Sequence, residues 1–175
     1  MENIIKVDID DNQIGEIEKL EAHKTPILHR AFSVFLYDGN KILLQQRAFN
    51  KYHSGGLWAN SCCSHPRANQ EFMQSVYDRL NFELGIEEKF NLKEIFSFNY
   101  LSKYSENLFE YELDHVLVAE YSSNKNIPFN NDEIENVKWV DICWLKKDLV
   151  LNPTNYATWF LICAPKVIAY LQGKT

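Results

Sequence analysis

The stretch Glu71-Phe72-Met73-Gln74-Ser75-Val76-Tyr77-Asp78-Arg79-Leu80-Asn81-Phe82-Glu83-Leu84-Gly85 reads as an amphipathic helix. Phe72, Val76, Leu80 and Leu84 recur about every 3.6 residues, which lines them up on one stripe. Gly85 stands where a left-handed C-cap is expected. Working outward, residues 48–69 contain Gly55-Gly56, Asn60 and Pro66 and almost no periodicity, so a long loop is expected there, of the kind that often carries function. Before it, Arg30–Tyr37 and Lys41–Arg47 read as strands around the turn Tyr37-Asp38-Gly39-Asn40. Ile4–Ile9 reads as a short strand followed by the turn Asp10-Asp11-Asn12. Lys19–His29 is expected to be irregular, since Pro26 blocks a helix. After the helix, Phe90–Leu101 and Tyr111–Tyr121 read as strands around a polar loop, and Val137–Val140 as a short strand. Cys143–Val150 and Tyr156–Gln172 read as closing helices, the second interrupted by Pro165. Strands with interspersed helices, without strict βαβ alternation, predict an α+β fold with a mixed sheet.

The length of 175 residues suits one domain spanning residues 1–175, with segment 1–29 supplying a strand and a ligand-bearing loop. A net charge of −6 argues against wholesale nucleic-acid binding. No apolar run approaches the ~20 residues that span a bilayer, and the N-terminus has no signal-peptide core. The cysteines at 62, 63, 143 and 163 show no framework spacing, so a reduced, cytoplasmic protein is expected. No CxxC is present, which excludes a zinc ribbon. A monomer is expected.

Three fragments carry chemistry. Ser61-Cys62-Cys63-Ser64-His65-Pro66 puts a thiol two residues from an imidazole. Glu110-Tyr111-Glu112 puts two carboxylates on one face of a strand, because side chains there alternate with period two. His23 and His29 add two more imidazoles. Three imidazoles and two carboxylates suit an octahedral-type site for Mn²⁺ or Zn²⁺ better than one for Ca²⁺, which prefers oxygen alone. A thiol beside a bound cation points to an enzyme.

Taken in order, these pieces resemble a known family. They are Glu18 through His23, Gln46 through Lys51, Gly56-Leu57-Trp58-Ala59-Asn60-Ser61-Cys62-Cys63-Ser64-His65-Pro66, Arg79 with Glu83-Leu84-Gly85, Glu110-Tyr111-Glu112, and the turn Asn131-Asp132-Glu133-Ile134-Glu135 before Trp139. The chain is similar to the type I isopentenyl-diphosphate isomerases of the Nudix superfamily over residues 4 to 165. The resemblance implies a Nudix-like α+β fold with a mixed sheet flanked by helices. It implies one Mn²⁺ or Zn²⁺ on His23, His29, His65, Glu110 and Glu112. It implies one Mg²⁺ on Glu83, shared with the diphosphate of a small-molecule substrate. Cys63 and Glu112 correspond to the proton-transfer pair, Tyr100 to a support for Glu112, and Trp159 to the aromatic face for a carbocation. Lys19, Arg47, Lys51 and Arg79 correspond to diphosphate ligands. The acidic turn at 131–135 is given no catalytic role. Many relatives carry Arg-Arg where this chain has Asp78-Arg79.

Two rivals stand against an isomerase. A Nudix pyrophosphatase would carry several helix glutamates to hold the Mg²⁺ ions that activate water; here the pattern keeps only Glu83. A catalytically dead metal-binding module would have lost the thiol or the second carboxylate, and Cys63 and Glu112 are both present.

Overall fold

In His29-Arg30-Ala31-Phe32-Ser33-Val34-Phe35-Leu36-Tyr37-Asp38 the apolar residues fall on both alternating faces, Phe32, Val34 and Leu36 on one and Ala31, Phe35 and Tyr37 on the other, so as a strand it must be covered on both. The computed structural model describes residues 3–173, and in it this strand, β3 (His29–Asp38), is the centre of a nine-stranded mixed sheet. Residues 1–2 and 174–175, part of the single domain expected from the sequence, lie outside the described residues. The other elements, in chain order around β3, are β1 (Asn3–Val7), β2 (Gln13–Glu18), α1 (Lys19–Lys24), β4 (Lys41–Arg47), β5 (Trp58–Ala59), β6 (Cys62–Ser64), α2 (Phe72–Leu84), β7 (Lys93–Ser105), β8 (Leu108–Glu120), β9 (Ile134–Asp141), α3 (Ile142–Leu151) and α4 (Thr158–Gln172). β3 pairs in parallel with β8, while β1, β4 and β6 all pair with it antiparallel.

Alternation along β3 divides the core in two. Phe32, Val34 and Leu36 pack with Leu43 and Leu117 under Val76, Leu80 and Leu84 of α2. Phe35 and Tyr37 pack with Ile42, Leu44, Val116 and Val118 against Leu145 of α3 and Phe160, Cys163, Val167 and Leu171 of α4. The fold is thus α+β, with helices on both faces of a mixed sheet, as the sequence predicts. Among the described residues no helix is long and apolar enough to cross a membrane.

Four local expectations are corrected. Lys19–Lys24 is helical: Glu18 caps it by accepting from the Glu21 N–H at 3.0 Å, and Thr25 turns extended before Pro26, so the proline ends the helix instead of preventing it. Residues 48–69 contain β5 and β6, which are too short to show a period. The strand β2 follows the Asp10–Asn12 turn, where no element was expected. α4 runs through Pro165 without interruption. The proline is on the exposed side, and the buried pairs Cys163–Ala164 and Val167–Ile168 keep both halves seated.

Gly85 closes α2 at φ +65°, its N–H donating to Asn81 O at 2.8 Å and the Ile86 N–H reaching Leu80 O at 3.4 Å. A Cβ there would lie 2.7 Å from Pro128 Cγ and 2.9 Å from Pro128 O. The close approach seats the 128–133 loop on the end of α2, and the Asn130 N–H donates to Glu83 O at 2.8 Å. Gly85→Ala is therefore expected to cost about 2–3 kcal/mol, from the left-handed backbone plus the clash. Urea unfolding measures it; a loss below about 0.5 kcal/mol would show that the loop yields freely.

Candidate active site and metal centre

On β8 the pleat puts Glu110, Glu112 and Asp114 on the same face as Val116 and Val118, the face covered by α4. In the parallel pair, His29 is the register partner of Glu112, which delivers an imidazole to that carboxylate. α1 brings His23, and β6 runs on into His65. The result is a group of four, His23, His29, His65 and Glu112, whose donor atoms all lie within 4.8 Å of one another. His65 Nε2 is 2.8 Å from Glu112 Oε1, and His29 Nε2 is 3.6 Å from it.

The imidazoles are oriented to receive a cation. His23 Nδ1 is 2.7 Å from Lys19 O, and His29 Nδ1 is 2.8 Å from Ile27 O. Carbonyls only accept, so both Nδ1 atoms carry a proton, which turns each Nε2 toward the centre as the ring's remaining ligating atom. Those two Nε2 atoms are buried and have no hydrogen-bond partner. Burial lowers the His23 pKa and pushes His65 down to about 3, so both stay neutral. Burial alone would raise Glu112, but His29 and His65 hold it well below the usual carboxylate range. Buried imidazoles with unpartnered ring nitrogens gathered around an ionised carboxylate fit a divalent transition metal.

Glu110, the fifth residue of the implied ligand set, is held differently. Its Oε2 accepts from Tyr100 at 3.1 Å and Tyr104 at 2.6 Å, and its Oε1 lies 3.0 Å from His53 Nε2. It borders the group of four without belonging to it. Tyr100 also donates to Glu112 Oε2 at 2.6 Å and so ties the two carboxylates together. Burial, and then the charges of Glu110 and Glu112, keep the Tyr100 phenol well above its ordinary pKa.

A cavity of about 250 Å³ opens beside this centre. It is lined by Cys63, Tyr100, Glu110, Glu112 and Trp159, and by Lys19, Arg47, Lys51, Arg79 and Glu83. The two adjacent cysteines separate by the pleat. Cys62 is fully buried under α2, and Cys63 is on the opposite face at the cavity. Burial raises the Cys63 pKa, with Arg47 opposing, so the group is a protonated thiol. The Trp159 indole N–H donates to Asn60 Oδ1 at 3.0 Å, and the Arg47 guanidinium carbon is 5.2 Å from the centroid of the same ring.

The cations converge on carboxylates. Arg79 Nε donates to Glu83 Oε1 at 2.8 Å, and Gln45 Nε2 donates to Glu83 Oε2 at 3.1 Å. Glu133 Oε2 accepts from Arg79 Nη2 at 2.6 Å and lies 2.7 Å from Lys51 Nζ. Burial would raise Glu133, but Lys51 and Arg79 more than offset it and hold it below the ordinary range.

Three side chains at the site escape a reading of the sequence. Asp114 accepts from Ser33 Oγ at 2.8 Å, and burial lifts its carboxyl well above the usual range. Extending the alternation of Glu110 and Glu112 by two residues would have found it. His53 comes from an aperiodic loop, which gives no such signal. Glu133 belongs to a turn whose approach to Arg79 depends on the packing of Pro128 on Gly85.

A family model described as NUDIX domain matches residues 27–160, which sets the class of protein. Solved structures agree on the fold. A Deinococcus radiodurans protein superposes with a TM-score of 0.69 at 17% identity, covering 86% of this chain and 90% of that one. A MutT protein from Methanosarcina mazei superposes with a TM-score of 0.59 at 12% identity, covering 84% and 94%. Sequence relatives narrow the class. The chain is 41% identical over 169 residues to isopentenyl-diphosphate Delta-isomerase 2 of Aromatoleum aromaticum, covering 96% of this chain and 87% of the relative. It is 40% identical over 162 residues to the isopentenyl-diphosphate Delta-isomerase of Serratia proteamaculans, covering 91% and 88%. The chain belongs to the isopentenyl-diphosphate Delta-isomerase family within the Nudix superfamily.

Removing one imidazole from the group of four leaves three donors. His65→Ala is expected to weaken retention of a bound transition metal by about tenfold or more. Elemental analysis after dialysis checks this, and a wild-type metal content in the folded variant would remove His65 from the site.

Proposed function

We propose that this chain interconverts isopentenyl diphosphate and dimethylallyl diphosphate by a 1,3-proton shift, in the manner its relatives' name denotes. The observation that carries the reading is the sharing of one cavity by Cys63, Glu112 and Tyr100 with four cationic side chains. A proton is added to the terminal alkene carbon, leaving a tertiary carbocation, and a proton is lost from the carbon on the other side, re-forming the double bond one position along. No atom is gained or lost.

Cys63 and Glu112 are suited to the two ends of that shift. They stand on strands β6 and β8, which pair with opposite edges of β3, and so flank the cavity. Cys63 enters as a thiol with a proton to give. Glu112 is ionised, and Tyr100 at 2.6 Å orients its second oxygen. The alkene is a very weak base, so the burial of Tyr100 and Glu112 beside Cys63 is part of the chemistry. Trp159 offers its π face to the cation. Lys19, Arg47, Lys51 and Arg79 would hold the diphosphate, with guanidinium groups giving bidentate contacts. Mn²⁺ or Zn²⁺ on His23, His29, His65 and Glu112, with Glu110 as the further ligand the family implies, and Mg²⁺ on Glu83 would supply positive charge that acidifies bound groups and neutralises phosphate oxygens. The reading places the chain in a reducing, cytoplasmic compartment, supported by its four free cysteines, and takes it to act as a monomer. Incubating the purified protein with isopentenyl diphosphate and Mg²⁺ and assaying for acid-labile allylic product tests it. Release of phosphate in place of allylic product would favour the pyrophosphatase alternative.

The cysteines give a paired test. Cys63→Ala is expected to lose about a thousandfold or more in kcat, since it removes a proton donor. Cys62→Ala is expected to keep most of the activity and lose about 1–2 kcal/mol of stability, since it opens a small void under α2. Equal loss of turnover in both folded variants would overturn the assignment.

Trp159 allows a test of the cation. Phe and Leu substitutions both forfeit the bond to Asn60, so that loss cancels between them. What differs is the ring face, worth about 2 kcal/mol to a desolvated cation, or roughly 30-fold in kcat. The carbocation exists only along the reaction path, so Trp159→Leu is expected to fall below Trp159→Phe in kcat with KM little changed. Equal turnover in both variants, with equal melting temperatures, would reduce Trp159 to a wall of the cavity.

A further inference from the structure

A pocket for a diphosphate should carry surplus positive charge. This one does not. Against Lys19, Arg47, Lys51 and Arg79 stand the carboxyl groups of Glu83, Glu110, Glu112, Asp114 and Glu133. Glu110, Glu112 and Asp114 are engaged with the histidines, the tyrosines and Ser33 around the metal centre. Glu83 is shared between Arg79 and Gln45. Glu133 is engaged with cations alone. One of its oxygens bridges Lys51 Nζ at 2.7 Å and Arg79 Nη2 at 2.6 Å, which is what a phosphate oxygen would do in the same place.

The bridge is built into the fold. The Glu133 N–H donates to Asn130 O at 3.0 Å, and Glu133 O accepts from Ala48 N–H at 3.0 Å. The next residue, Ile134, is fully buried. The carboxylate is thus delivered to the two cations by a loop fixed at both ends. It is partly shielded from solvent, so its repulsion of an incoming anion is only partly screened.

We infer that Glu133 is an internal competitor for the diphosphate: it occupies Lys51 and Arg79 in the substrate-free enzyme and makes diphosphate binding conditional on the divalent cation bound with it. The inference rests on the diphosphate reading of the cavity. A bare diphosphate must take two cations from Glu133 and then sit beside its charge. A diphosphate carrying Mg²⁺ brings two compensating positive charges and meets far less opposition. Glu133 is in this sense a specificity residue that acts through Lys51 and Arg79.

Calorimetric titration with inorganic pyrophosphate, with and without Mg²⁺, tests this on the intact chain. In Glu133→Gln, Mg²⁺-free pyrophosphate is expected to bind about tenfold tighter than in wild type, and the gain from adding Mg²⁺ to shrink correspondingly. Asp132→Asn removes the same charge from the exposed neighbouring position and is expected to behave as wild type. Glu133→Asp keeps the charge and is expected to retain the Mg²⁺ dependence. The inference is overturned if Glu133→Gln binds Mg²⁺-free pyrophosphate no tighter than wild type, or if Asp132→Asn or Glu133→Asp gains as much as Glu133→Gln. A wild-type protein that ignores pyrophosphate even with Mg²⁺ would instead defeat the diphosphate reading, and this inference with it.

Discussion

The chemistry of this chain depends on the parallel register of β3 and β8. Nine residues of β3, His29 through Tyr37, pair in unbroken register with Glu112 through Glu120. That register sets His29 against Glu112 and brings Ser33 within hydrogen-bonding reach of Asp114. A slip of one residue would turn Glu110, Glu112 and Asp114 toward α2 and drive Leu113 and Leu117 into the catalytic cavity. Hydrophobic burial on both faces of β3 forbids the slip. The apolar core therefore fixes the positions of the polar residues, and the metal centre needs no separate scaffold.

The metal half of the arrangement leaves buried polar atoms without partners, a cost that a bound cation would relieve. Ionised Glu112 is buried beside two imidazole Nε2 atoms without hydrogen-bond partners. Buried charge without full compensation is expensive. A divalent cation between His23, His29, His65 and Glu112 would satisfy the unpartnered ring nitrogens and the carboxylate together. On the cationic side of the cavity the compensation is internal: Glu133 pairs with Lys51 and Arg79 in advance of any phosphate. The two halves thus differ: one has unpartnered ring nitrogens, and the other carries its own counter-charge.

How much of this was legible in the sequence follows from the range of each interaction. The α2 stripe, the β3–β4 hairpin and the pair Glu110 and Glu112 are local patterns with a period, and they were readable. The proposed ligand set and clamp rest on the order of weak motifs along the chain and not on any local period. What stayed hidden was set by long-range packing. Two-residue β5 and three-residue β6 have no period to detect, and they form because β3 and β4 offer open edges. Helix α1 was masked by Pro26, whose restriction acts on Thr25 and leaves Lys19–Lys24 free to coil. His53 and Glu133 reach the cavity from loops whose paths depend on distant contacts.

The same helix that marks the superfamily also explains why hydrolysis does not suit this chain. Water activation by several Mg²⁺ ions needs a row of carboxylates on α2 facing the substrate. Among the described residues of α2, Glu83 is the one carboxylate that lines the cavity, and Arg79 and Gln45 already share it. Asp78, the other acid within the helix, is held on the outer surface by Gln70 and Gln74. What the cavity offers in place of a metal-bound hydroxide is a thiol, a phenol and an indole face, enclosed by the core beneath α4. A protonated thiol is a poor device for attacking phosphorus but can give a proton to carbon, and an indole has nothing to contribute to hydrolysis. In the proposed reading the superfamily helix would keep its grip on the diphosphate, while the chemistry would pass to residues of β6, β7, β8 and α4 at the hydrocarbon end.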